Sequence, residues 1–126
     1  MHTTIPLAIA ALLAAGIIVI GSFYIASPEK MTPSFGLKLP SPDPETRAWL
    51  RLKGIRDIVS GLVVLSLMFT TNPRTVGVAL LAESFTAFGD MCNVLGSGGS
   101  RRAAFSIHGV TFAVMVVAGL FLINIF

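Results

Sequence analysis

Residues 75–95 read TVGVALLAESFTAFGDMCNVL, an apolar stretch interrupted by two acids, Glu83 and Asp90. Its length suits a helix crossing the roughly 30 Å hydrocarbon core of a bilayer. Glu83, Thr86, Asp90 and Asn93 recur at spacings of three, four and three, so all four fall on one helical stripe. An ionisable group at mid-span costs about 2.5–3.5 kcal/mol on insertion scales, which requires that stripe to face protein or water rather than lipid.

Working outward, three further apolar stretches flank this one: residues 5–26, 55–70 and 104–126. The chain as a whole is 54% hydrophobic and 12% charged, with a mean hydropathy of +0.84. Such a composition excludes an ordinary soluble domain. The expected fold is all-α, a single integral membrane domain over residues 1–126 in which four transmembrane helices form an antiparallel bundle. The first stretch lacks a preceding Lys or Arg and exceeds a typical signal-peptide core, so it reads as a membrane helix.

The connections set the topology. Residues 27–54 hold Pro28, Pro33, Pro40, Pro42 and Pro44, so the first part of this loop cannot be continuous helix. From Glu45 onward an interfacial helix is expected to run into the second span, with Trp49 at headgroup level and Arg47 and Arg51 near phosphates. Thr71-Asn72-Pro73-Arg74 and the Gly96–Arg102 link are short, which makes their flanking spans antiparallel neighbours.

Of the nine Lys and Arg residues, eight lie in or beside the first and third loops, leaving Arg74 for the opposite side. By the positive-inside rule both termini are expected on the non-cytoplasmic side. In a eukaryotic cell the expected membrane is the endoplasmic reticulum. The net charge of +3 is thus explained by topology, and no nucleic-acid partner is expected. The Gly-rich link is not followed by GK[ST] and is not a P-loop. The single Cys92 excludes an intrachain disulfide and a CxxC site.

Further polar residues fall inside the other spans. Arg56, Asp57 and Ser60 lie on the second and His108 with Thr111 on the fourth, while Tyr24 lies near the matching end of the first. Counting from the loops places Asp57, Asp90, Asn93 and His108 at similar depth, with Glu83 about 10 Å deeper. The expectation is one polar pocket open toward the cytoplasm with an acid at its floor. Carboxyl groups crowded in low dielectric tend to hold different protonation states, as acid-base catalysis requires. Asp57 and Asp90 are therefore the candidate acid and base, Arg56 an orienting cation, and His108 and Glu83 proton relays. Asn93, Tyr24, Thr86 and Ser60 are candidate substrate contacts, and neither metal nor cofactor is required.

The runs Phe35-Gly36-Leu37, Lys53-Gly54-Ile55-Arg56-Asp57, Gly89-Asp90 and His108-Gly109 resemble a family of short four-helix membrane proteins of fungi and bacteria, distantly similar to the DoxX-like group. Some fungal proteins of this appearance are encoded beside polyketide synthases and flavin monooxygenases. The resemblance implies a small membrane hydrolase of secondary metabolism that opens epoxides on a lipophilic substrate. The runner-up from another class is a non-catalytic lipophile-binding or proton-coupled transport subunit, working as a homodimer, with Glu83 as its mid-membrane proton site.

Overall fold

The computed structural model describes residues 2–38 and 43–124, and all regular structure among them is helical. Five helices follow one another: α1 (Thr4–Ala26), α2 (Pro28–Phe35), α3 (Pro44–Thr70), α4 (Pro73–Gly96) and α5 (Arg101–Leu122). Three of them, α1, α4 and α5, are long and apolar enough to cross a membrane. The longest helix, α3, is not among these, because Lys53, Arg56 and Asp57 crowd the start of its apolar run.

Helix boundaries follow local chemistry. Asp43 caps α3, its carboxylate accepting from the Thr46 amide at 2.9 Å and the Thr46 hydroxyl at 2.6 Å, with Pro44 in the first turn. Asn72 does the same for α4, accepting from the Thr75 amide at 3.0 Å ahead of Pro73. The helix begins at Pro44 and Pro73, slightly earlier than the apolar pattern alone suggests. The proline-rich loop is more ordered than expected at its start: residues 28–35 form a separate two-turn helix. Pro28 occupies its first turn, where a missing N–H costs nothing, and Gly36 ends it in the left-handed region at φ +103°. Residues 39–42 of that loop, with Pro40 and Pro42, and the last two residues of the 104–126 span lie outside the described residues.

Polar contacts outside the apolar spans tie α2 to α3. Arg47 forms an ion pair with Glu29, and Arg51 Nε donates to the Ile25 carbonyl at the end of α1 at 3.2 Å. The Glu29 carboxyl is held below the usual carboxylate range by its own backbone N–H and by the Arg47 guanidinium. The Thr46 hydroxyl and amide lower Asp43 in the same sense.

Between helices of similar apolarity in lipid, association depends on close backbone packing. Two pairs achieve it through glycine. A Cβ on Gly54 of α3 would stand 2.5 Å from the Gly21 carbonyl of α1, and one on Gly61 would stand 2.6 Å from the Ala14 carbonyl. On α4, a Cβ at Gly77 would meet the Gly119 carbonyl of α5 at 2.8 Å. The bundle is therefore two tight antiparallel pairs, α1 with α3 and α4 with α5. A small apolar core of Ala10, Ala14, Val64, Val76, Leu80, Ala118 and Leu122 joins them. Large apolar side chains cover the outside, Phe69 at 88% and Phe85 at 72% exposure among them. An outer face of this kind suits hydrocarbon, not water.

This packing predicts unequal tolerance among the glycines. Gly61→Val should lower the stability of the detergent-solubilised protein by about 1–3 kcal/mol through overpacking. Gly89→Ala, with nothing within 4 Å of the added carbon, should leave the thermal unfolding midpoint unchanged or raised. Equal midpoints for both variants would contradict the packing described.

Candidate functional site

The spacing of Lys53 and Asp57, one helical turn apart on α3, lets the two side chains meet. Lys53 Nζ donates to Asp57 Oδ2 at 2.7 Å, and the two side chains are 30% and 13% exposed. The same ammonium lies 4.5 Å from the ring centroid of buried Tyr24 and 5.1 Å from that of Phe35. It thus sits between two aromatic faces and a carboxylate, an arrangement that offsets the cost of holding a cation inside the protein.

His108 completes the cluster from α5. Residues 104–109 of that helix are wound as a π-helix, the wider turn often found where a side chain must be re-aimed. His108 Nε2–H donates to the Phe35 carbonyl at 2.8 Å, and the two rings lie 4.3 Å apart between centroids. A carbonyl only accepts, so the proton is on Nε2 in this arrangement.

The next residue, Gly36, anchors the end of α2. Its carbonyl accepts from the Ser100 amide at 2.8 Å. A side chain there would strike Ala103 Cβ at 2.8 Å, and one at Gly99 would strike the Gly36 carbonyl at 2.5 Å. Only glycine fits at both places, which explains Phe35-Gly36 and the Gly-rich link together.

Asp90 is half-buried on α4, where it interacts electrostatically with Lys53, His108 and Asp57. Tyr24 and Asp57 meet through Lys53, and His108 joins them through Phe35, while Asp90 makes no hydrogen bond or ion pair among the described residues. Glu83 and Ser60 form a separate, deeper contact: Ser60 Oγ donates to Glu83 Oε2 at 2.7 Å, bridging α3 and α4. Arg56, Thr86 and Asn93 are exposed. Arg56 makes no ion pair among the described residues, and Asn93 lies about a turn closer than Asp90 to the end of α4. Phe35 and Gly36 lie over the loop-side end of the cluster, where His108 is 7% and Tyr24 2% exposed.

Two open recesses lie elsewhere. One is an apolar groove of about 260 Å³ between α4 and α5, bounded by Phe85, Phe88 and Phe112. The other, about 400 Å³ and widely open, lies over the end of α2 beside Gly98 and Gly99. Among the described residues no three His, Cys, Asp or Glu side chains are grouped so as to hold a metal ion.

Lys53 and Phe35 are the cluster members that the sequence did not single out as site residues. The Lys53–Asp57 spacing was a usable signal, since opposite charges four apart on a helix pair. Nothing in the sequence signalled that the Phe35 carbonyl would bind His108 across 73 positions.

Residues 14–122 match the family model described as a domain of unknown function, DUF4267. The chain belongs to this family. No curated protein and no solved structure matches it. The DUF4267 span takes in every member of the cluster, from Tyr24 to His108, together with the Gly21–Gly54 and Gly77–Gly119 packing points. What defines this DUF4267 chain physically is thus the pair of glycine-packed helix pairs and the polar cluster held at one end between them.

The ion pair can be weighed directly. Thermal unfolding of Lys53→Met, Asp57→Asn and the double variant should give a coupling of about 1–3 kcal/mol, within the range for contacting residues. Each single change leaves a partly buried charge without its partner, so the double variant should be less damaged than the sum of the two. Additive losses would show that the pair does not stabilise the fold.

Proposed function

We propose that this chain is an integral membrane enzyme that performs general acid-base chemistry on a lipophilic small molecule, and that opening of an epoxide is its reaction. The supporting observation is Asp57 ion-paired to Lys53 beside Tyr24, Phe35 and His108, with a second carboxyl group, Asp90, half-buried on α4. Asp57, ion-paired to Lys53, serves as the base. Asp90, for which no ion pair occurs among the described residues, supplies the proton.

In the step envisaged, Asp57 takes a proton from water or from a hydroxyl of the substrate, whose oxygen attacks an epoxide carbon. The carbon–oxygen bond of the ring breaks as Asp90 protonates the departing oxygen. Transfer of the proton from Asp57 back to Asp90, through water or the His108 imidazole, restores the starting state. The balance is addition of water to give a diol, or isomerisation to a cyclic ether. Lys53, paired to Asp57, takes the charge-stabilising part expected of Arg56, which is exposed. Supply of the epoxide by an oxygenase of polyketide metabolism follows from the family resemblance drawn from the Lys53–Asp57 run.

Four crossings belong to the same proposal. Helix α3 has 27 residues, and its charges lie near one end, where Lys53 and Arg56 can reach the headgroup layer. With α3 as a fourth span, both termini face away from the cytoplasm, and the Lys- and Arg-rich end lies within it. In a Cys92→Ser background, cysteines introduced at Thr3 and Lys38 should be labelled from opposite sides of sealed vesicles. Labelling of both from one side would overturn the four-span topology.

A second reading has its own support in Glu83, half-buried and bonded to the neutral Ser60, a suitable proton site for a transport subunit. The two readings separate on mutation. With an epoxide-bearing lipophile as substrate, Asp57→Asn and Asp90→Asn should each slow turnover by about a hundredfold or more, the usual scale for acid-base groups. Glu83→Gln should cost much less. Full activity in both Asp variants would exclude the acid-base mechanism, and Glu83→Gln as the most damaging change would favour transport.

A further inference from the structure

Tyr24 is the single tyrosine of the chain, and it lies at the cluster end of α1 with only 2% of its surface exposed. Its side chain is held from two sides. The Lys53 ammonium stands over the ring at 4.5 Å from the centroid. Gly54 of α3 approaches so closely that a Cβ there would stand 2.9 Å from Tyr24 Cβ. The phenol is thus fixed in place, and its hydroxyl with it.

A buried phenol O–H usually has a hydrogen-bond partner. The Tyr24 hydroxyl has none among the described residues, although the ammonium over its ring is bonded to Asp57. Yet no side-chain nitrogen or oxygen sealed within the described residues lacks a partner. The small exposed part of Tyr24 therefore includes its hydroxyl, which faces a space where a water molecule can touch it. Asp57 Oδ1 and His108 Nδ1 are in the same state, since the bonds of these residues use Asp57 Oδ2 and His108 Nε2. These three atoms offer one donor and two acceptors that the protein does not use.

We propose that the Tyr24 hydroxyl is a ligand-binding group that donates to an uncharged ether-type oxygen of a lipophilic molecule. The acceptor is uncharged because Lys53 and Asp57 already neutralise each other, and a charged ligand beside them would be buried without a counter-charge. The molecule is lipophilic because α1 is an apolar span. Only the identity of the oxygen rests on the enzymatic reading, in which it is the epoxide oxygen. Tyr24 keeps its own proton there: it holds the ring oxygen while Asp90 protonates it and Asp57 takes a proton from the attacking hydroxyl. Charge growing on that oxygen is stabilised by the hydrogen bond and by the ammonium over the Tyr24 ring.

A single tyrosine makes this bond directly observable. Protein produced with tyrosine labelled with carbon-13 at Cζ carries one labelled side chain, whose NMR shift in lipid nanodiscs reports what the phenol oxygen bonds to. Alkyl oxetanes, which are unreactive cyclic ethers, should move this signal across a series of chain lengths. Alkylcyclobutanes of the same lengths should not. Tyr24→Phe removes only the hydroxyl, so it should slow epoxide turnover about tenfold without lowering the thermal unfolding midpoint.

The same response to oxetanes and cyclobutanes, or none to either, would overturn the proposal and leave the hydroxyl to water. A lowered midpoint in Tyr24→Phe would also overturn it, by showing that the hydroxyl is bonded within the protein. An oxetane-specific shift without turnover of any epoxide would uphold the binding group and count against the reaction. Turnover equal in wild type and Tyr24→Phe, with no oxetane-specific shift, would do the reverse.

Discussion

A lysine ammonium placed among apolar helices must find its counter-charge within the protein, and the organisation of this chain follows from how Lys53 does so. Its carboxylate partner is one turn along the same helix, so the pair forms as α3 forms. The remaining faces of the cation are met by Tyr24 of α1 and Phe35 at the end of α2. Phe35 in turn receives His108 of α5. One charge therefore recruits four helices to one end of the bundle, while the apolar core at the opposite end needs only shape.

The same arrangement explains the backbone features nearby. Placing the Phe35 carbonyl against His108 brings α2 down onto the α4–α5 link, where Gly36 and Gly99 make room for the approach. The π-helical turn at 104–109 lies where His108 must meet a partner from outside its own helix pair. Polar satisfaction in a membrane domain is internal by necessity, and here it fixes the position of a segment that would otherwise be a loose loop.

Much of this was legible in the sequence, for identifiable reasons. Apolar length gave the helices, and the Glu83–Thr86–Asp90–Asn93 stripe gave the half-buried face of Glu83 and Asp90 on α4, although Thr86 and Asn93 are exposed. Asn72 and Asp43 as caps follow from the proline and threonine beside them. What pattern could not give was direction within a face. Arg56 and Asp57 are adjacent, and only packing against α1 decides that Asp57 turns in and Arg56 out. Nor could pattern give the bond that seats Phe35 on His108, since it uses a backbone carbonyl, which carries no sequence signal.

The chemistry proposed requires one of the two carboxyl groups, Asp57 and Asp90, ionised and the other protonated. The most direct test is the pH dependence of epoxide turnover by the wild-type protein in bilayers. A bell-shaped profile, reporting the pair rather than either acid alone, is the predicted result, with one limb lost in Asp57→Asn. Turnover independent of pH across the same range would contradict the account.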